Sequence, residues 1–115
     1  MGKQQTPHSG LVSLALATAL SIGISGCAVT GHEIVQNRVV VPPGAVAKVR
    51  AVCPGGKKVL GGGFDLEIPE DLRVYASDPG DSQGNTVNDN WRVMVRNEGK
   101  TARQATAIAV CASAP

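Results

Sequence analysis

The stretch Trp91-Arg92-Val93-Met94-Val95-Arg96, followed after Asn97-Glu98-Gly99-Lys100 by Thr101-Ala102-Arg103-Gln104-Ala105-Thr106-Ala107-Ile108-Ala109-Val110-Cys111-Ala112, decides the fold. Trp91, Val93 and Val95 alternate with Arg92, Met94 and Arg96, which is the period-two signature of a half-buried strand. In the second half Ala105, Ala107, Ala109 and Cys111 share one face, and Thr106, Ile108 and Val110 the other. Two largely apolar faces predict a central strand. The intervening Asn-Glu-Gly-Lys has the composition of a hairpin loop, so the two strands are expected to pair with each other.

Working outward, the same pattern recurs. Ala45 to Cys53 alternates Ala45, Ala47, Val49, Ala51 and Cys53 against Val46, Lys48, Arg50 and Val52. Glu33 to Val41 is Val-rich and stops at Pro42-Pro43-Gly44, where proline fixes φ and glycine accepts a positive φ. Pro54-Gly55-Gly56 marks another turn. Lys57 to Leu66 reads as a strand broken by Gly61-Gly62-Gly63, and Leu72 to Ser77 as the next, before a long polar loop from Asp78 to about Asn90. Strands with turn signals at this spacing predict an all-β fold, a small antiparallel β-sandwich or barrel of about six strands. The chain of 115 residues, with a net charge of +2, 14 Gly, 7 Pro and only 3% aromatic residues, has room for one small domain. It is neither a charged disordered tail nor a helical bundle.

The N-terminal region reads differently. Between Leu11 and Ile24, 10 of 14 residues are Ala, Val, Leu or Ile, preceded by a polar start with Lys3 as its only cation. That stretch is shorter than the roughly 20 residues of a spanning helix and matches the apolar region of a cleaved signal peptide. Ile24-Ser25-Gly26-Cys27 resembles the lipobox of bacterial lipoproteins: an aliphatic residue, two small residues and an obligatory Cys. The resemblance implies a signal peptide helix over residues 1–26, cleavage between Gly26 and Cys27, and acylation of Cys27, which places the chain in the cell envelope with membrane lipid as its first partner. Several acyl chains matter because each buried CH2 contributes about 0.8 kcal/mol, so one chain anchors marginally and two anchor stably. Residues 27–32 become a lipidated tether and 33–115 the β-domain. By the same resemblance, Ala28 after the Cys permits transfer to the outer membrane of a Gram-negative cell. In a single-membrane cell the protein stays on the outer face of the plasma membrane.

An acylated Cys27 leaves Cys53 and Cys111 as the remaining two of three cysteines. In an oxidising compartment these are expected to form one disulfide. The run Cys53-Pro54-Gly55-Gly56-Lys57-Lys58-Val59-Leu60-Gly61-Gly62-Gly63-Phe64, with Trp91-Arg92-Val93 and the strand ending at Cys111-Ala112, also resembles a module of exported bacterial proteins that has no assigned chemistry. That resemblance implies the same disulfide and transfers no site.

Chemistry-bearing patterns are few. Gly56-Lys57-Lys58 fails the phosphate-loop pattern, and Gly61-x-Gly63 is followed by Leu66 where a dinucleotide fingerprint needs a third glycine. The Gly-rich stretch is instead expected to be a bulge, or a place where a side chain such as Trp91 packs on bare backbone. The only histidines are His8 and His32, so no His-based nucleophilic constellation can form in the domain. Glu67, Glu70 and Asp71 with Asp78, Asp81 and Asp89 leave a carboxylate hydrolase as the third reading, although these residues lie among loop-forming neighbours. Asp78, Asp81 and Asp89 are also the weak candidates for Ca2+, a hard cation that takes oxygen ligands. Lys48, Arg50, Arg92 and Arg96 alternate outward and form a basic stripe if their strands are neighbours. Such a stripe suits anionic headgroups or a cell-wall polymer. Nucleic acid is excluded by compartment, by a mature charge of ten Lys and Arg against nine Asp and Glu, and by the lack of stacking aromatics. Trp91 and Tyr75 could form a sugar platform, but Trp91 heads an inward face and reads as core. The expectation is therefore an envelope lipoprotein without cofactor or enzymatic activity, acting as a structural or interaction module; a glycan- or Ca2+-binding domain is the alternative.

Overall fold

The computed structural model describes residues 28–114. The expected signal peptide, its cleavage site and Cys27 lie outside the described residues. Six strands follow in order: β1 (Thr30–Val41), β2 (Val46–Val52), β3 (Lys58–Leu66), β4 (Leu72–Gly80), β5 (Asn90–Asn97) and β6 (Arg103–Ser113). All pairing is antiparallel, in two three-stranded sheets of order β1-β6-β3 and β2-β5-β4. The sheets stack with β1 over β2, β6 over β5 and β3 over β4. Of the two expected forms, sandwich or barrel, the sandwich is the one adopted.

The inward alternation reads as expected. Val49, Ala51 and Cys53 from one sheet side, Val93 and Val95 beside them, and Ala105, Ala107, Ala109 and Cys111 opposite form one buried cluster with Val41 and Leu72. β6 is central, between β1 and β3. Cys53 and Cys111 are bonded, with Cα atoms 5.6 Å apart, so the link runs from the end of β2 in one sheet to β6 in the other.

Four features depart from the sequence expectation. First, β5 and β6 do not form a hairpin: β5 pairs with β2 and β4, and β6 with β1 and β3. Residues 98–102 arch from one sheet to the other, and fully buried Asn97 holds the arch. Its Nδ2 donates to the carbonyls of Val41 (2.9 Å) and Thr101 (2.8 Å), and its Oδ1 accepts from the Gly99 N–H (2.9 Å). Period-two patterns reveal faces but not partners, which is why the alternation misassigned the pairing. Second, the single hairpin among the described residues is β4–β5, closed by the polar loop 81–89.

Third, Asp78-Pro79-Gly80 continues β4 instead of opening the loop. Proline is tolerated there because β4 is an edge strand, where the missing N–H breaks no ladder bond on its open side. Fourth, β1 starts at Thr30, inside the expected tether, and pairs with Ser113.

The glycine run does not break β3. A bulge falls between Val59 and Gly61, and the strand then runs through to Leu66. Gly62 faces inward opposite Ala109, and a Cβ built on it would fall on the Trp91 ring and the Ile108 carbonyl. The Trp91 indole therefore lies against bare backbone, and its Nε1 donates to Ser77 Oγ at 2.9 Å. Gly63 faces outward with nothing within 4 Å of a built Cβ. The two glycines should thus respond oppositely to the same methyl group. Gly62→Ala is expected to cost about 1–3 kcal/mol by overpacking, and Gly63→Ala to be neutral or slightly stabilising, as read by urea unfolding of each variant.

Candidate functional site

The outer face of β2-β5-β4 carries the densest charge among the described residues. Register places Lys48 opposite Met94, Arg50 opposite Arg92, and Arg96 between Val46 on β2 and Arg73 on β4. The strands of the expected basic stripe are therefore neighbours, and Lys48, Arg50, Arg92 and Arg96 share one face. Arg73 joins them, a residue the strand pattern alone did not single out. Its only sequence signal was the alternation in Leu72 to Ser77 that turns Arg73 away from Leu72.

Two rows of this face set arginine directly across from arginine. Like charges at paired positions destabilise a sheet. One row is relieved by Asp78, which lies opposite Arg92 on the other side. Arg92 Nε and Nη2 donate to the two Asp78 carboxylate oxygens at 2.9 and 2.7 Å. That fork holds the Asp78 carboxyl below its usual value and raises Arg92. In the other row Arg73 stacks its guanidinium over the exposed Tyr75 ring, 5.3 Å from the centroid. Lys48, Arg50 and Arg96 are exposed and have no ion-pair partner among the described residues.

The two aromatic candidates separate. Tyr75 stands on the cationic face, whereas Trp91 lies between the sheets over Gly62. They do not form a common platform.

The three candidate Ca2+ ligands separate as well. Asp78 is held by Arg92. Asp81 accepts from the N–H groups of Gln83 (3.0 Å), Gly84 (2.8 Å) and Thr86 (2.6 Å), closing the loop on itself. Thr86 is thereby held at φ 68°, an uncommon conformation for a β-branched residue. Asp89, almost fully buried, accepts from the Ser82 N–H and hydroxyl and from Asn90 Nδ2. Among the described residues no three His, Cys, Asp or Glu side chains gather around a point that could hold a metal ion. Asp71 forms an ion pair with Arg103 at 2.9 Å, and Glu67 caps the Gln104 N–H at 3.1 Å. These carboxylates fasten loops to strands.

The disulfide, the 54–57 turn, the 81–89 loop and the start of β1 all lie at one end of the sandwich. There Lys57 Nζ donates to Glu33 and to the Gly31 carbonyl, both at 2.8 Å. A hollow of about 200 Å3 opens between the 54–57 turn and the 81–89 loop, lined by Cys53, Lys57, Lys58, Gln83, Asn85 and Asp89 among others. No helix among the described residues is long and apolar enough to cross a membrane. Comparison with protein-family models, with curated proteins and with solved structures finds no match.

The loop carboxylates make the 81–89 segment acid-sensitive. Desolvation pushes Asp81 up, but the backbone N–H groups of Thr86, Gln83, Asn85 and Gly84 together outweigh it, so its pKa falls below the usual 3.8. Asp89 is held low first by the Ser82 hydroxyl. A depressed folded pKa contributes stability that is complete above the unfolded value and is lost as pH falls through the folded one. The Gly84 and Thr86 amides should therefore exchange slowly and at constant protection from neutral pH to about pH 4, and lose protection below 3.8. Asp81→Ala, which removes both acceptor oxygens, should abolish that protection at every pH, as measured by amide hydrogen exchange.

Proposed function

We propose that this chain is a lipid-anchored protein of the bacterial envelope, attached through acylated Cys27, whose β-sandwich binds an anionic polymer of the cell wall without chemical turnover. The two rows of facing arginines carry this reading. Arg50 opposite Arg92 and Arg73 opposite Arg96 oppose folding, and only one of the four has a carboxylate fork to relieve it. A surface that gives up stability for concentrated charge fits a ligand that supplies the missing counter-charge. Tyr75 adds an exposed ring on the same face, against which a sugar of such a polymer can stack. Several residues suited to acid, base or nucleophile roles are engaged elsewhere: Asp71, Asp81 and Asp89 fasten loops, and both domain cysteines are bonded.

The anchor fits the geometry of the domain. β1 begins three residues after Cys27, a reach of at most about 10 Å. Acylation would thus hold the disulfide end of the sandwich against the bilayer, with the cationic face rising from it toward the wall. In that setting each cation near a charged surface contributes about 1 kcal/mol, and the sum is screened over roughly 8 Å at physiological ionic strength.

Two measurements test the proposal separately. Metabolic labelling with a fatty acid should mark the wild-type chain and leave Cys27→Ala unlabelled; equal labelling of both excludes the anchor. Binding of the full chain to phosphate-bearing wall polymer should weaken at least 10-fold when Lys48, Arg50 and Arg96 are all changed to Glu, and should disappear at high salt. Equal binding by the triple variant removes the cationic face from the account. Retention on anionic lipid vesicles but not on polymer would reassign the face to headgroups.

A further inference from the structure

The opposite outer face, on β1-β6-β3, carries charges of both signs and its relief is uneven. Register aligns Ile34, Val110 and Gly61 in one row, Gln36, Ile108 and Gly63 in the next, and Arg38, Thr106 and Asp65 in a third. The β1 column stands high: Ile34 is 66% exposed, and Gln36 and Arg38 are exposed as well. The β3 column is low at Gly61 and Gly63, which follow the exposed Leu60 of the bulge. Gly61 and Gly63 offer no side chain, and a Cβ built at either meets nothing within 4 Å. Between them Ile108 and Val110 form an apolar ridge, half-buried on the central strand.

The third row carries the charge of this face. Arg38 on β1 and Asp65 on β3 flank Thr106, two strand spacings or about 9.6 Å apart. Neither has an ion-pair partner among the described residues. A depression of about 170 Å3 lies between them, lined by Arg38, Asp65, Glu67, Gln104 and Thr106. Arg38 and Asp65 have no ion-pair partner within one copy because β6 keeps them apart, whereas Glu67 already accepts from the Gln104 N–H.

We propose that the face is self-complementary and that two copies of the chain pack through it about a two-fold axis running along β6. Rotation about that axis lays the β1 column of one copy over the β3 column of the other. Ile34 and Gln36 then enter the gaps left by Gly61 and Gly63 of the second copy. Arg38 enters the depression beside Asp65 and Glu67 of the second copy, and the same contacts recur by symmetry on the other side. The Ile108–Val110 ridges meet on the axis. An axis across the strands would instead stack the high column on the high column and glycine on glycine, leaving both carboxylates unpaired. Steric relief and charge thus select the same axis, as an isologous interface requires. A face three strands wide buries about 1,000 Å2 in total at most, the low end for specific interfaces. The dimer is therefore weak and concentration-dependent, and crowding of chains on one surface favours it.

The test uses the full-length chain in two tagged versions, one carrying Gln36→Cys and the other Gly63→Cys, mixed at high micromolar concentration and oxidised, with Cys27 common to all arms. The cross-linked heterodimer should exceed the homodimers of either version several-fold, and a Lys48→Cys version on the opposite face should give none above background. Arg38→Asp should cut the heterodimer about 10-fold, and Arg38→Asp with Asp65→Arg should restore it. Because all these positions are exposed or open, far-ultraviolet circular dichroism should be unchanged throughout. Heterodimer no more abundant than the homodimers, or a yield indifferent to Arg38→Asp, overturns the proposal.

Discussion

The covalent bond between Cys53 and Cys111 is the constraint on which the sandwich depends, because the two sheets have little else of size to hold them together. Of the residues in the buried cluster, Ala51, Ala105, Ala107 and Ala109 contribute one methyl each, and most of the remainder are valines. At about 25 cal/mol per Å2 of apolar surface, methyl-sized side chains supply far less than the leucine and phenylalanine cores of comparable domains. The bond joins positions separated by 58 residues, which on the chain-entropy model is worth about 4 kcal/mol. Against a total of 5–15 kcal/mol for a typical domain, that is a large share.

Around this bond the small residues have a second consequence. A central strand of alanines lets the sheets approach closely, and the one large aromatic that lies between them must find space at the edge. It does so over Gly62, where a side chain would collide with the ring. At the far end Asn97 replaces packing with hydrogen bonds, tying the end of β1, the β5–β6 arch and the Thr101 carbonyl to one buried amide. Asn37 does the same at the β1 edge, donating to the Arg50 carbonyl on β2 at 2.8 Å. Polar links thus complete what apolar burial leaves unfinished.

Strand positions and inward faces were legible because alternation encodes them directly: Val49, Ala51, Val93, Val95 and the β6 alanines are where their parity puts them. Pairing was not legible, because an alternating strand says which face is buried and nothing about its neighbours. Hence Asn97-Glu98-Gly99-Lys100 has hairpin composition yet spans two sheets, and the decisive role of Asn97 is invisible in a residue type common in turns. Glycines were ambiguous for a similar reason. Gly61, Gly62 and Gly63 look alike in sequence, whereas one supports an indole and two open a surface. The cationic face was legible residue by residue for β2 and β5, and became a surface only once the register set arginine against arginine.

The sandwich consequently presents two unlike faces from a core too thin to tolerate disorder between the sheets, and both faces depend on the register that the disulfide protects. The most direct measurement is urea unfolding of the same full-length chain with the bond intact and after reduction, which leaves the buried sulfurs and their volume in place. The account predicts a loss of about 4 kcal/mol on reduction, enough to bring the domain to the edge of unfolding at ambient temperature. A difference below about 1 kcal/mol would contradict it and show that the valine and alanine core suffices alone.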